Sequence, residues 1–134
     1  MPNIKSTNRE FLELFRALDS VKEIKGARFA VIVGRNIKEL KTHLDPIEKA
    51  SIPSEEFQRL SIQVQELIQK EDKEAIETLE KENETLIEER KKQMEEVENM
   101  LDDASECFLH PIREDQLPDE ITGQQVEQLI QIIE

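Results

Sequence analysis

The chain has 134 residues, of which 37% are hydrophobic and 37% charged, and its formal net charge is −13. This length fits one domain, and the low apolar content predicts a thin core. Because a strongly negative chain has few cations to place against phosphates, the charge opposes direct binding to DNA, RNA or anionic lipid and favours a basic partner. The lack of Trp and Tyr, together with only 3 Gly, favours long helices over packed sheets.

Residues 1–26 are predicted to form an N-terminal amphipathic helix. Thr7 and Glu10 have the spacing of a capping box, in which each side chain bonds the other's backbone N–H. One apolar stripe then follows at three- and four-residue steps: Phe11, Leu14, Phe15, Leu18 and Val21. Gly26 marks the predicted end of this segment, since glycine often terminates helices.

Residues 27–104 are predicted to form a long, bent antiparallel helical hairpin with coiled-coil-like contact between its helices, about 27–50, 54–69 and 74–103. Pro46 is expected to bend or restart the first helix, and Ser54 to cap the second. The charged residues 69–73 are the expected point of reversal, with a continuous helix as the alternative. The seam begins near Ala30 and Val33, and the packing residues on which it depends are Ile37, Leu40, Leu44, Leu60, Val64, Leu86, Val97 and Leu101. Asn83 and Arg90 interrupt it.

Residues 105–134 are predicted to form a short extended segment followed by a short helix. The apolar run from Cys107 to Ile112 contains Pro111 and favours an edge strand or extended arm. Thr122 is a predicted helix cap paired with Gln125. One apolar face should follow: Val126, Leu129, Ile130 and Ile133. The predicted fold class is therefore mainly all-α.

Three parts of the sequence are distinctive when taken together: residues 25–30 with Asn36, residues 53–57, and the ending 109–112 with 117–122. Together they resemble small, uncharacterised helical proteins encoded by tailed bacteriophages and prophages. The resemblance covers about residues 20–134 and implies a viral origin and action in the cytoplasm of an infected host cell or in an assembling particle. Proteins of that group often carry a longer insert between their two long helices. The short segment 69–73 therefore puts any function of the insert in doubt here.

No motif in the sequence indicates catalysis, a cofactor or a metal site. His43 and His110 lack a second ligand at metal-binding spacing, and the lone glycine Gly34 cannot supply a phosphate-binding loop. Cys107 is the only cysteine and is expected to be a small buried apolar side chain. It allows no intrachain disulfide, so an intracellular protein is expected. No apolar run approaches a membrane span.

The stretch from Glu71 to Asp102 is strongly acidic, with thirteen carboxylates, five Lys or Arg and a net charge of −8. It is expected to be a solvated helix face that includes Glu84, Glu88, Glu95 and Glu98. The leading hypothesis is a non-enzymatic structural or interaction protein that forms homo-oligomers and presents this face to a phage or host protein with a basic surface. One alternative is an inhibitor of a host nucleic-acid-binding or defence protein, in which these carboxylates mimic phosphates. The other is an oligomeric sponge for a small anion, held by Arg28, Arg35 or Lys38.

Overall fold

The computed structural model describes residues 3–134, and it is mainly all-α, as predicted. Its helices are α1 Asn8–Val21, α2 Ala27–Ser51, α3 Glu55–Gln69, α4 Lys73–Glu82, α5 Glu84–Asp102 and α6 Gly123–Gln128. Its strands are β1 Asn3–Thr7 and β2 Ala104–Phe108, and two single-turn 3-10 helices cover Glu114–Gln116 and Ile130–Ile132. None of the helices within residues 3–134 is both long enough and apolar enough to cross a membrane.

The chain divides into two compact units. The terminal unit comprises the chain up to Pro46 together with Met100–Glu134, and the central unit comprises Ile47–Asn99. This division differs from the predicted one, because the predicted segments 1–26 and 105–134 belong to the same unit and share it with most of α2. Pro46 lies inside α2, which continues through it to Ser51 and does not restart there.

In the terminal unit, α1 begins and packs as its sequence predicts. The Glu10 N–H donates to Thr7 Oγ1, and the Glu10 carboxylate accepts from the Thr7 N–H, so the predicted capping box is confirmed. The buried stripe of α1 consists of Phe11, Leu14, Ala17, Leu18 and Val21, while Phe15 is only half-buried.

A two-stranded antiparallel sheet joins the start of the described chain, β1, to strand β2. Ile4 lies opposite Cys107, and Lys5 lies opposite Glu106. Residues 3–7 lead up to the predicted helix start at Thr7, and the sequence does not predict their strand, because they pair with a segment about a hundred positions away and have no periodic apolar pattern of their own. The predicted extended segment near Cys107 is confirmed. Its strand begins at Ala104, before the predicted run from Cys107 to Ile112, and ends at Phe108.

The buried face of α2 contains an asparagine. Its fully buried residues are Phe29, Val33, Asn36, Leu40 and Leu44. The predicted stripe shares Val33, Leu40 and Leu44 with this face, but Ala30 is exposed and Ile37 only half-buried. The sequence prediction counts only apolar residues and therefore leaves out Asn36. As a result, the predicted buried face of α2 is rotated slightly from the observed one.

Asn36 is buried because the backbone of His110 satisfies its amide. Nδ2 donates to the His110 carbonyl at 2.9 Å, and Oδ1 accepts from the His110 N–H at 2.7 Å. A buried amide without partners would cost a few kcal/mol, whereas this pair also satisfies two backbone groups that the extended segment cannot pair by itself. The two hydrogen bonds fix the register of the extended segment on α2. Leu109 and Ile112, on either side of this contact, are fully buried.

The last residues close against the same extended segment. The Gln125 N–H donates to Thr122 Oγ1, so the predicted cap is confirmed. The expected burial of Ile130 is wrong: it is 61% exposed, and Ile132 is buried in its place. The α-helix ends at Gln128 and tightens into a 3-10 turn, which shifts the inward face. The N–H of Ile112 then donates to the Ile132 carbonyl at 2.7 Å.

The central unit is built from α3, α4 and most of α5. Ser54 caps α3, because its Oγ accepts from the Phe57 N–H at 3.2 Å. The chain reverses after Lys70, where Glu71 takes a φ of 57°, and α4 packs on α3. The prediction of a single helix over 74–103 is wrong, since Asn83 separates α4 from α5. Its Nδ2 donates to the Leu79 carbonyl at 2.9 Å, the local competition by which asparagine disfavours helix interiors.

Replacing Asn36 with Leu should lower the free energy of unfolding by about 2–4 kcal/mol, because the His110 N–H and C=O lose their partners inside the core. Urea denaturation followed by circular dichroism measures this. Gly34→Ala on the same helix is the control: a Cβ there meets nothing within 4 Å, so it should raise the free energy by about 0.5–1 kcal/mol. An Asn36→Leu protein as stable as the wild type would contradict this role for Asn36.

Candidate functional site

The packing residues predicted to form one seam are divided between the two units. Leu40, Leu44 and Leu101 are fully buried in the terminal unit, and Ile37 is half-buried there. Leu60 and Val97 are fully buried in the central unit, where Val64 and Leu86 remain half-buried. Each set is therefore described with the unit to which it belongs.

The central unit has a groove along α5, which Phe57 of α3 also lines. Its volume is about 630 Å³. The apolar part consists of Phe57, Ile87 and Met94, and the polar part of Arg90, Lys91, Glu95, Glu98 and Asn99. The residues from α5 recur at three- and four-residue steps, so they occupy one face of that helix. We refer to this surface as the α5 groove.

Arg90 is held firmly at the groove. Its Nη1 donates to the Ser51 carbonyl at 2.8 Å and to Gln93 Oε1 at 3.0 Å, and its guanidinium carbon lies 5.7 Å from the centre of the Phe57 ring. Gln93 in turn donates to the carbonyls of Ala50 and Ile52. These contacts satisfy backbone carbonyls where α2 ends, which explains why a cation occupies a position that the seam pattern assigns to an apolar residue.

Charges of both signs line the groove. Glu84, Glu88, Glu95 and Glu98 are all exposed, as expected of a solvated face. Lys91 falls between them at helical spacing, and its Nζ lies 3.5 Å from Glu88 Oε1. A surface that mimics nucleic acid needs an unbroken series of negative charges, and Lys91 interrupts this one. This charged face of α5 is better suited to a contact in which the partner surface carries both positive and negative charges.

Three hydrogen-bonded polar side chains in the terminal unit, those of His43, Ser105 and Asn8, form the arrangement closest to catalytic geometry. His43 Nε2 lies 2.8 Å from Ser105 Oγ, and the Ser105 hydroxyl donates to Asn8 Oδ1 at 2.5 Å. The Asn8 amide is oriented by Nδ2, which donates to the Met100 carbonyl at 2.8 Å. Since the only Ser105 proton goes to Asn8, His43 Nε2 must donate to Ser105 and cannot act as its base in this arrangement. These hydrogen bonds therefore join α1, α2 and β2, and in this arrangement they do not activate Ser105 as a nucleophile.

Two further observations bear on chemistry in the terminal unit. Burial raises the pKa of the Cys107 thiol, and the nearby Glu39 carboxylate adds to this effect, so the reactive thiolate is disfavoured. Within residues 3–134, no group of three or more His, Cys, Asp or Glu side chains is placed to hold a metal ion.

The cations proposed to hold a small anion, Arg28, Arg35 and Lys38, all lie on α2. Arg28 lies beside Lys25 in a groove of about 510 Å³ that also contains Asp115, Asp119 and Glu120. Three carboxylates against two cations do not favour an anion there. Arg35 and Lys38 are exposed on α2.

The chain matches no protein-family model, and no curated protein and no solved structure is significantly similar to it. Functional inference for this chain therefore depends on the geometry of its own surfaces.

Replacing His43 with Gln should make stability less sensitive to mild acid. Burial lowers the pKa of His43 below its ordinary value of 6.5, and the edge of its ring packs 5.2 Å from the centre of Phe11. The unfolded chain therefore binds a proton near pH 6.5 that the folded chain does not bind. The His43 contribution is complete above that pH and is lost as the pH falls towards the lower folded-state pKa.

The measurement is the free energy of unfolding at about pH 7.5 and about pH 5.5, on either side of the ordinary histidine pKa. The wild type should lose more stability between the two than His43→Gln, whose amide can still donate to Ser105. All carboxylates are common to both proteins, so their effect cancels in the comparison. Equal losses would rule out a buried neutral His43.

Proposed function

We propose that this chain is a non-enzymatic interaction protein that associates with further copies of itself through the helices of the central unit. The observation that carries the proposal is the uneven distribution of the core. Among residues 3–134, seventeen apolar residues are buried, and only Leu60 and Val97 of these belong to the central unit. A unit of this size with two buried apolar residues gains little from its own packing.

The helices of the central unit are amphipathic, but their apolar faces remain incompletely covered. α4 has no fully buried residue, and α3 has only Leu60. The half-buried apolar residues of the unit include Phe57, Val64, Leu67, Ile76, Leu79, Leu86, Ile87 and Met94. Helices of 10 and 15 residues are marginal in water and depend on tertiary packing of the apolar face. A second copy would supply that packing.

The form of the association is also part of the proposal. Apolar residues at three- and four-residue spacing on α3 and α5 favour knobs-into-holes packing of the coiled-coil type. A phage or host protein with a basic surface is proposed as a further partner, supported by the exposed carboxylates Glu84 and Glu88, which lie outside the α5 groove. The resemblance to small phage and prophage proteins supports a viral origin and action in the cytoplasm of the host cell.

The purified protein should have a molar mass that is a multiple of 15.7 kDa, and its thermal midpoint should rise with protein concentration. Mass is measured by light scattering across a wide concentration range, and the midpoint by circular dichroism on the same samples. A monomer whose midpoint is independent of concentration would refute self-association.

Two substitutions separate folding from association. Leu40 is 0% exposed in the terminal unit, so Leu40→Asp should unfold that unit. Val64 is half-buried in the central unit, so Val64→Asp should lower the mass with a smaller loss of helicity. Gln65→Asp, which adds the same side chain at the exposed neighbouring position, should leave both unchanged. Val64→Asp with wild-type mass and helicity would count against the central unit as the contact.

A further inference from the structure

We propose that the α5 groove binds the α5 groove of a second copy, with the two α5 helices antiparallel about a two-fold axis that passes midway between Lys91 and Glu95. The inference rests on the proposed self-association and identifies the surface and orientation of the contact. Three features support it: the apolar content of the groove, the order of charges along α5 and the net charge of the chain.

The groove has the composition of a contact surface. Phe57, Ile87 and Met94 give it an apolar part, and Arg90 is fixed over Phe57 by its hydrogen bonds to Ser51 and Gln93. A pre-ordered aromatic and arginine pair loses little side-chain entropy when a partner binds. The surface is therefore prepared for docking of a helix.

The net charge restricts what can dock there. Two copies that each carry −13 repel one another, so a stable contact between them must place cations against carboxylates. Arg90, Lys91 and Lys92 form the only run of consecutive cations in the chain. Two of these three line the groove, next to Glu95 and Glu98. The groove thus carries both halves of a charge-complementary contact.

The order of these charges selects the antiparallel orientation. Lys91 and Glu95 are one helical turn apart, about 6 Å at the usual rise. A two-fold axis that crosses the groove midway between them brings Lys91 of each copy opposite Glu95 of the other. Met94 of both copies then lies beside the axis, where an isologous contact is most buried. A parallel arrangement would instead place Lys91 level with Lys91 and Glu95 level with Glu95.

Charge reversal tests this pairing directly. Lys91→Glu alone places carboxylates opposite Glu95, and Glu95→Lys alone places cations opposite Lys91. Each single variant should raise the dissociation constant of the homo-oligomer by about tenfold or more. An equimolar mixture of the two should associate like the wild type, because every contact between unlike copies is again attractive. The double variant Lys91→Glu with Glu95→Lys should also recover.

The matched control is the pair Lys92→Glu and Glu96→Lys. It has the same residue types, the same spacing and the same changes in net charge, but neither residue lines the groove. These variants should associate like the wild type, alone and mixed. Circular dichroism of each variant checks that α5 remains helical, and light scattering gives the masses.

The experiments distinguish failure of the groove contact from failure of the proposed self-association. A monomeric wild type would overturn both. A wild-type oligomer that the position 91 and 95 variants leave intact would overturn the groove contact and leave self-association standing. The groove contact is also overturned if the control pair dissociates equally, or if mixing fails to restore the mass. In each of these cases the groove would be open to a different occupant, such as an acidic helix of another protein.

Discussion

Burial of the apolar faces of α3, α4 and α5 is the constraint on which the rest of the account depends. Among residues 3–134, the central unit fully buries only Leu60 and Val97, although apolar residues recur along all three helices at helical spacing. Helices of this length are stabilised mainly by packing, so a unit with so small a core gains little stability from its own apolar contacts. Polar contacts of Arg90 and Gln93 with the carbonyls of Ser51, Ala50 and Ile52 fix the start of the unit but bury little apolar surface. The proposed association between copies would cover these faces without any change in the fold.

The terminal unit buries its apolar faces within one chain. Asn36 binds both backbone groups of His110, which seats Leu109 and Ile112 in the core, and Ile112 then receives the C-terminal turn through its hydrogen bond to Ile132. One buried amide therefore organises a segment that has no regular secondary structure between β2 and the 3-10 turn at Glu114. The polar chain from His43 through Ser105 to Asn8 links the adjoining elements, and its hydrogen-bond directions assign it a structural role.

Local signals in the sequence predict the local parts of this fold and little of what depends on distant partners. The caps at Thr7, Ser54 and Thr122 need only a few neighbouring residues, and all three are observed. Strand β1 forms because it pairs with β2, with Ile4 opposite Cys107. No periodic pattern in residues 3–7 predicts this pairing. In the same way, the polar identity of Asn36 conceals its position on the buried face of α2. At the candidate site, the apolar spacing predicts that α5 presents a contact face. The role of Arg90 requires the carbonyl of Ser51, which the sequence alone does not place beside it.

Hydrogen exchange at increasing protein concentration tests the central claim most directly, because it reports the stability of each helix separately. Amides of α3, α4 and α5 should become more protected as the concentration rises, while those of α1 and the Asn36 turn of α2 should keep the same protection throughout. Exchange rates in the central unit that do not change with concentration would contradict the claim that a second copy completes its core.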